Sequence, residues 1–191
     1  MERTVIGITG GIGSGKSVVM DYLCNEYGAV VFLTDQIAHD LMVPGKSNYN
    51  GIVEAFGETI LKEDKTIDRK KLGAIVFDNQ EKLSLLNQIT HPGVLRETSR
   101  RIENAKQAGC TLICLESALL FDTKLYEMCN QTWYIYADQE VRIKRLIEGR
   151  GYTREYCEEV MKKQPAENRY KEKADVVIDN SGSIFETSLQ I

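Results

Sequence analysis

Histidine is nearly missing from this chain: His39 and His91 are the only two among 191 residues, which excludes a histidine-rich metal centre. Cysteine is present but unpatterned. The five cysteines, Cys24, Cys110, Cys114, Cys129 and Cys157, are odd in number and include no Cys-x-x-Cys pair, so they signal neither a disulfide framework nor a zinc site. Cys110 and Cys114 fall on an apolar run and read as small core residues. No apolar stretch approaches the roughly 18–20 residues needed to span a bilayer, and Met-Glu-Arg-Thr leads into the first apolar segment without a leader pattern. Positive charge is not in excess either, with 24 Lys and Arg against 28 Asp and Glu for a net charge of −4. Nucleic acid and anionic membrane are therefore not the expected partners, and any anionic ligand must be held by local basic clusters. The expectation is a cytoplasmic globular protein, one domain or one core with inserted pieces.

Glycine, by contrast, is concentrated at one place. Thr4 to Val18 reads Thr-Val-Ile-Gly-Ile-Thr-Gly-Gly-Ile-Gly-Ser-Gly-Lys-Ser-Val. Val5, Ile6 and Ile8 supply a short buried strand, and Gly10 to Ser17 fit the phosphate-loop pattern of glycine, four residues, glycine, lysine and serine. Glycines allow the backbone to approach a ligand closely and to turn successive N–H groups into one concavity that captures an anion. The helix starting near Lys16 adds its unpaired N–H groups and positive end. Gly11, Gly13, Ser14, Gly15, Lys16, Ser17 and Val18 are thus the expected nucleotide-binding residues, with Lys16 reaching the β- and γ-phosphates and the Ser17 hydroxyl binding Mg²⁺.

Further along, Ala29–Leu33, Thr111–Glu116, Thr132–Ala137 and Val176–Ile178 are apolar runs of the kind that fill parallel strands buried on both faces. Between Ala29–Leu33 and Thr111–Glu116 lie helical patterns around Ile37, Ile52, Leu72, Leu83 and Val94, punctuated by Pro44-Gly45 and His91-Pro92-Gly93. Asp138 is placed to cap a helix carrying Val141, Leu146 and Ile147. Gly149-Arg150-Gly151 opens a charged helical stretch that resembles a hinged lid. The expected fold is a three-layer α/β P-loop nucleotide-kinase architecture with a five-stranded parallel sheet. Its core comprises residues 1–33, 109–147 and 174–191, its helical acceptor-binding insertion 34–108 and its lid 148–173. No Asn-Lys-x-Asp follows a later strand to read guanine, and the chain is short for a motor or transporter, so a small-molecule kinase fits best. A kinase of a nucleoside, nucleotide or small metabolite and a nucleotide-dependent regulatory protein stay open on these grounds.

The order of motifs also resembles the dephospho-coenzyme A kinases: Thr9–Ser17, Thr34-Asp35-Gln36-Ile37-Ala38, His91-Pro92, Leu119-Leu120-Phe121, Arg142 to Arg150, Gln164, and Ala174 to Gly182. The resemblance implies ATP-dependent phosphorylation of the ribose 3′-hydroxyl of dephospho-coenzyme A, with ATP and Mg²⁺ as cofactors, in a monomer or weak homo-oligomer. Leu33, Ala118 and Asp122 depart from that pattern, which usually has an acid, a proline and a glutamate there.

Within this scheme Asp35 is the candidate general base, with capping of a helix over Gln36–Met42 as its structural alternative. Glu116 is a candidate Mg²⁺ ligand or a salt-bridged strand end. Arg145 and Arg150 are placed to face phosphate charge, and Arg142 to stack on adenine or lie on the surface. Asn180 and Gly182 are placed to line the adenine pocket through backbone contacts. His91 is a possible acceptor contact. Lys46, Arg69, Lys70 and Lys71 either help hold the acceptor's phosphates or form a solvated charge run.

Overall fold

The computed structural model describes residues 3–164 and 167–191. Pro165 and Ala166, inside the expected lid, and Met1 and Glu2, at the start of the expected core, lie outside the described residues. The chain divides into two compact units, one of residues 1–32 with 105–191 and one of residues 33–104.

The first unit is a three-layer α/β structure built on a five-stranded parallel sheet. Its strands are β1 (Thr4–Thr9), β2 (Val30–Leu33), β3 (Leu112–Glu116), β4 (Gln131–Tyr136) and β5 (Val176–Asp179), in the order β2-β3-β1-β4-β5. β1 is central and parallel to both neighbours, with Ile6 opposite Cys114 on one side and Gln131 on the other. Its side chains are buried from Val5 to Thr9, as both faces of a parallel sheet under helices require. Ile6, Ile8, Cys114, Trp133, Ile135 and Ile178 share a core with Val19, Met20 and Leu23 of α1 (Lys16–Tyr27). Gly28 ends α1 in the left-handed conformation, φ 65°. Because β1, β3, β4 and β5 are parallel, their carboxyl ends at Thr9, Glu116, Tyr136 and Asp179 open on one edge of the sheet, where α/β proteins bind ligands.

The second unit holds α2 (Thr34–Asp40), α3 (Tyr49–Phe56), α4 (Arg69–Val76) and most of α5 (Gln80–Gln107). Ile52, Ile60, Ile67, Leu72 and Val76 form its own core. Two sequence expectations are corrected here. His91-Pro92-Gly93 does not separate two helices, because α5 runs through it. Proline removes a backbone donor and opens the preceding turn, and the buried Asn48 amide donates to the Thr90 carbonyl there at 3.1 Å. Gly93 accommodates Asn48, since a Cβ would come within 2.1 Å of Asn48 Oδ1. Nor does Asp35 cap α2: the cap position is Leu33, and Asp35 sits exposed in the first turn.

α6 (Gln139–Arg150), α7 (Arg154–Lys163) and α8 (Glu167–Lys171) follow β4, and α9 (Ile184–Ser188) follows β5. Asp138 holds the cap position of α6 without a side-chain cap bond; its carboxylate accepts from the Tyr136 hydroxyl instead. Ile143, Leu146 and Cys157 pack α6 on α7. Among the described residues no helix is long and apolar enough to cross a membrane.

Candidate active site

Between Thr9 and Lys16 the chain forms a tight loop that side chains would obstruct. Gly15 has φ 86°, and a Cβ there would lie 2.0 Å from Asn180 Nδ2; at Gly13, with φ 76°, a Cβ would lie 2.9 Å from the Arg142 carbonyl. Both positions therefore require glycine on conformational and steric grounds. Lys16 folds back so that its ammonium donates to the Gly10 carbonyl at 2.9 Å and stands 3.7 Å from Glu116 Oε1 at the end of β3. Ser17 and Val18 are exposed in the first turn of α1.

Among the described residues of this unit, three buried polar atoms have no hydrogen-bond partner: Thr9 Oγ1, Ser14 Oγ and Arg145 Nη1. Arg145 Nη1 lies 3.5 Å from where a Gly15 Cβ would be. A buried guanidinium nitrogen left unsatisfied is costly, and such groups call for an explanation. An anion in the loop supplies one.

Arg142 is not a surface residue: only 7% of it is exposed. Its Nε donates to the Ile12 carbonyl at 2.8 Å and its Nη2 to Gln164 Oε1 at 3.1 Å, while Gln164 Oε1 also accepts the Ile12 N–H at 3.0 Å. Glu167 stands 3.6 Å from the same guanidinium. The α6 arginine and the carboxamide after α7 thus clamp both backbone groups of Ile12. Arg142 and Gln164 also line a cavity of about 660 Å³ with Gly10, Gly11, Leu119 and Tyr134. Burial pushes the Tyr134 phenol up to about 12, so it stays neutral.

Asn180 reaches the loop through its side chain rather than its backbone, with Nδ2 donating to the Ser14 carbonyl at 2.8 Å. Gly182 packs against Glu186, where a Cβ would fall 2.3 Å from Oε2. Arg150 is exposed as the last residue of α6 and does not line the cavity. Asp122 accepts from Tyr170 at 2.5 Å and from Arg169 at 2.7 Å. This fastens α8 to the segment after β3. Burial and the Asp122 carboxylate both push the Tyr170 phenol above its ordinary range. Gln164, Tyr170 and Thr187 carry no local signal of their roles. Gln164 stood out only within the family motifs, and the other two lie among polar neighbours, Tyr170 between Arg169 and Lys171 and Thr187 between Glu186 and Ser188.

In the second unit, His39 feels the charges of Arg69 and Asp35. Burial and then the Arg69 charge hold His39 below its usual range, against the pull of Asp35 and Asp40. His91 is lowered by burial. Arg69, Lys70 and Lys71 are exposed at the start of α4.

For Mg²⁺ the site offers hard oxygen donors, the exposed Ser17 hydroxyl and the Glu116 carboxylate. No group of three or more His, Cys, Asp or Glu among the described residues forms a metal cage. That donor set fits a magnesium ion sharing its shell with phosphates and water rather than a resident protein-bound ion.

A phosphate loop at the carboxyl edge of a parallel sheet in this order, bordered by arginines and a cavity, defines a P-loop kinase. A family model described as dephospho-CoA kinase matches residues 4–186. A dephospho-CoA kinase of Carboxydothermus hydrogenoformans is 44% identical over 98% of this chain and 90% of its own length. One from Shouchella clausii is 39% identical over 97% and 94%. The crystal structure of TT1252 from Thermus thermophilus superposes with a TM-score of 0.81 at 26% identity, covering 98% of this chain and 94% of that one. The chain belongs to the dephospho-CoA kinase family.

Proposed function

We infer that this chain transfers the terminal phosphoryl group of ATP to the ribose 3′-hydroxyl of dephospho-CoA, the last step of coenzyme A synthesis. The observation that carries the reading is the buried, unpartnered Arg145 Nη1 beside Gly15, in a loop whose lysine is already folded toward it. In the transfer the 3′-oxygen bonds to the γ-phosphorus, the bond from phosphorus to the β–γ bridging oxygen breaks, and ADP leaves. Asp35, two residues past β2, is our candidate to take the hydroxyl proton; its carboxylate is exposed. Lys16, Arg145 and the loop N–H groups would balance charge on the transferring group, which is where most of the rate gain lies in phosphoryl transfer. Arg150, Gly182 and Val18 are proposed nucleotide contacts, and Arg142 and Asn180 are proposed to act by holding the loop.

Ser17 and Glu116 would hold Mg²⁺, which when bound supplies further neutralisation of phosphate charge. Residues 148–173 are proposed as a lid that excludes water, 34–108 as the acceptor-binding insertion, and 1–33, 109–147 and 174–191 as the nucleotide core. We read the enzyme as cytoplasmic, a monomer or weak homo-oligomer. The test is coupled ADP release with Mg-ATP, comparing dephospho-CoA with adenosine, AMP and cytidine nucleotides. Release driven by dephospho-CoA with coenzyme A as product supports the assignment. Strong turnover with another acceptor alone overturns the substrate and keeps the kinase.

A further inference from the structure

The turn after β5 is tied down at several points. The Gln190 carboxamide spans Asp179, accepting its N–H and donating to its carbonyl, both at 2.8 Å. Ser183 and Glu186 form a reciprocal capping box at the start of α9. Ser181 Oγ accepts the Asp138 N–H at 3.0 Å. Within this turn the side chains of Asn180 and Thr187 are buried together. The Thr187 hydroxyl donates to Asn180 Oδ1 at 2.8 Å, and the Ser183 carbonyl is its alternative acceptor at 3.2 Å. The bond to Oδ1 decides which end of the carboxamide faces the phosphate loop: with Oδ1 taken as acceptor, Nδ2 is left to donate to the Ser14 carbonyl.

A trans peptide is planar, so its carbonyl and its N–H point in opposite directions. Holding the Ser14 carbonyl on Asn180 therefore aims the Gly15 N–H away from Asn180. We propose that Thr187 is a positioning residue for the nucleotide site, acting through Asn180 to fix the direction of the Gly15 N–H as a phosphate donor. Thr187 itself touches no substrate, and it lies one residue past the segment that the family model matches. The proposal rests on the reading of the loop as the ATP site. Without the hydroxyl, a buried Oδ1 has no donor. The carboxamide is then held only by its Nδ2 bond to the Ser14 carbonyl, and the loop peptide that it orients is fixed less firmly.

Thr187→Val keeps the side-chain shape and removes the donor, while Thr187→Ser keeps the donor. The variants are compared with wild type below their melting temperatures, by ATP affinity measured calorimetrically without acceptor and by KM for each substrate. In Thr187→Val the ATP Kd and KM are expected to rise about tenfold, the scale of one buried hydrogen bond lost with its partner stranded. The acceptor KM should stay within about twofold, and Thr187→Ser should stay near wild type in all three. If Thr187→Val fails to fold, Thr187→Ala makes the same deletion without filling the space. A wild-type ATP Kd in either folded variant overturns the proposal. So does a loss confined to kcat and melting temperature, which is what a merely structural residue would give. Because ATP affinity is read without acceptor, failure of the wild type on dephospho-CoA would overturn the function and still leave this test readable.

Discussion

Lys16 reaches the Gly10 carbonyl and the Glu116 carboxylate, and both are contacts that a phosphate can replace. Its side chain is only 18% exposed, so the charge is already held near where phosphate would arrive. Lys16→Ala should therefore lower turnover by at least ~10²-fold, the scale of one lost preorganised charge contact; a steady-state rate near wild type would remove the loop as the phosphate site. Arg145 makes a finer demand. A planar fork with a buried, unpaired nitrogen matches a phosphate in a way a lysine cannot, so Arg145→Lys should lower kcat about 10–100-fold despite conserving charge. Unchanged kcat at saturating substrates would show that Arg145 Nη1 faces no reacting phosphate. Single residues were unevenly legible. Lys16 and Ser17 declare themselves by spacing within a loop of a few residues. Arg142 looks like any member of a basic run, because its partner Ile12 is 130 positions away and no local pattern records that distance.

At the scale of elements, strands were legible because a strand buried on both faces is a continuous apolar run. β1 and β3 are both of that kind. Helix α5 was not, since Pro92 and Gly93 are local breakers, and the Asn48 amide that bonds the Thr90 carbonyl beside them comes from the residue just before α3. α8 is only five residues long, and its anchor is Tyr170 on Asp122 and the Ala118 carbonyl. Tyr170→Phe keeps the ring contacts with Phe121 and Tyr134 and deletes that anchor. A loss of about 1–2 kcal/mol follows, seen as a melting temperature lower by roughly 3–6 °C; an unchanged melting temperature would show the latch to be ornamental. α2 and α5 are tied by charge: Arg101 bonds Asp40 and Glu97, and Arg100 also bonds Glu97. The hydrogen bond from Arg100, then that from Arg101, holds the Glu97 carboxyl at about 2 instead of 4.5. Because the folded value is the lower one, its contribution is complete above about pH 4.5 and fades as pH falls toward 2. Glu97→Gln should thus lose stability relative to wild type at pH 7, by about 1–2 kcal/mol after solvent screening. Urea unfolding should show the gap narrowing by pH 2.5; a gap independent of pH would mean that charge is not its source.

For the molecule as a whole, a net charge of −4 leaves polyanionic substrates dependent on a few local cations and on Mg²⁺. With only Ser17 and Glu116 as proposed protein ligands, calorimetry should find Mg²⁺ binding no tighter than the millimolar range without nucleotide, while EDTA abolishes turnover with ATP. Micromolar binding to the protein alone would point to a dedicated cage instead. The parallel sheet was legible in outline, as alternation of apolar runs with helices implies one, but the order of its strands was not. The clamp on Ile12 and the Tyr170 latch were not, because each is a long-range polar contact between residues of ordinary type; nor was the Asn180–Thr187 pair, local but equally ordinary in residue type. The central place of β1 has a consequence during synthesis. Thr4 pairs with Leu112 and Ile6 with Gln131, so the ribosome must add more than 100 residues before β1 meets either partner. At about 5–20 residues per second that is a delay on the order of 5–25 s. Meanwhile residues 33–104 emerge with their own core of Ile52, Ile60, Ile67, Leu72 and Val76 and can collapse first. Val5, Ile6 and Ile8 wait in the open throughout, so the nascent chain is most exposed to misassociation in its earliest-made strand, and a holding chaperone would act there.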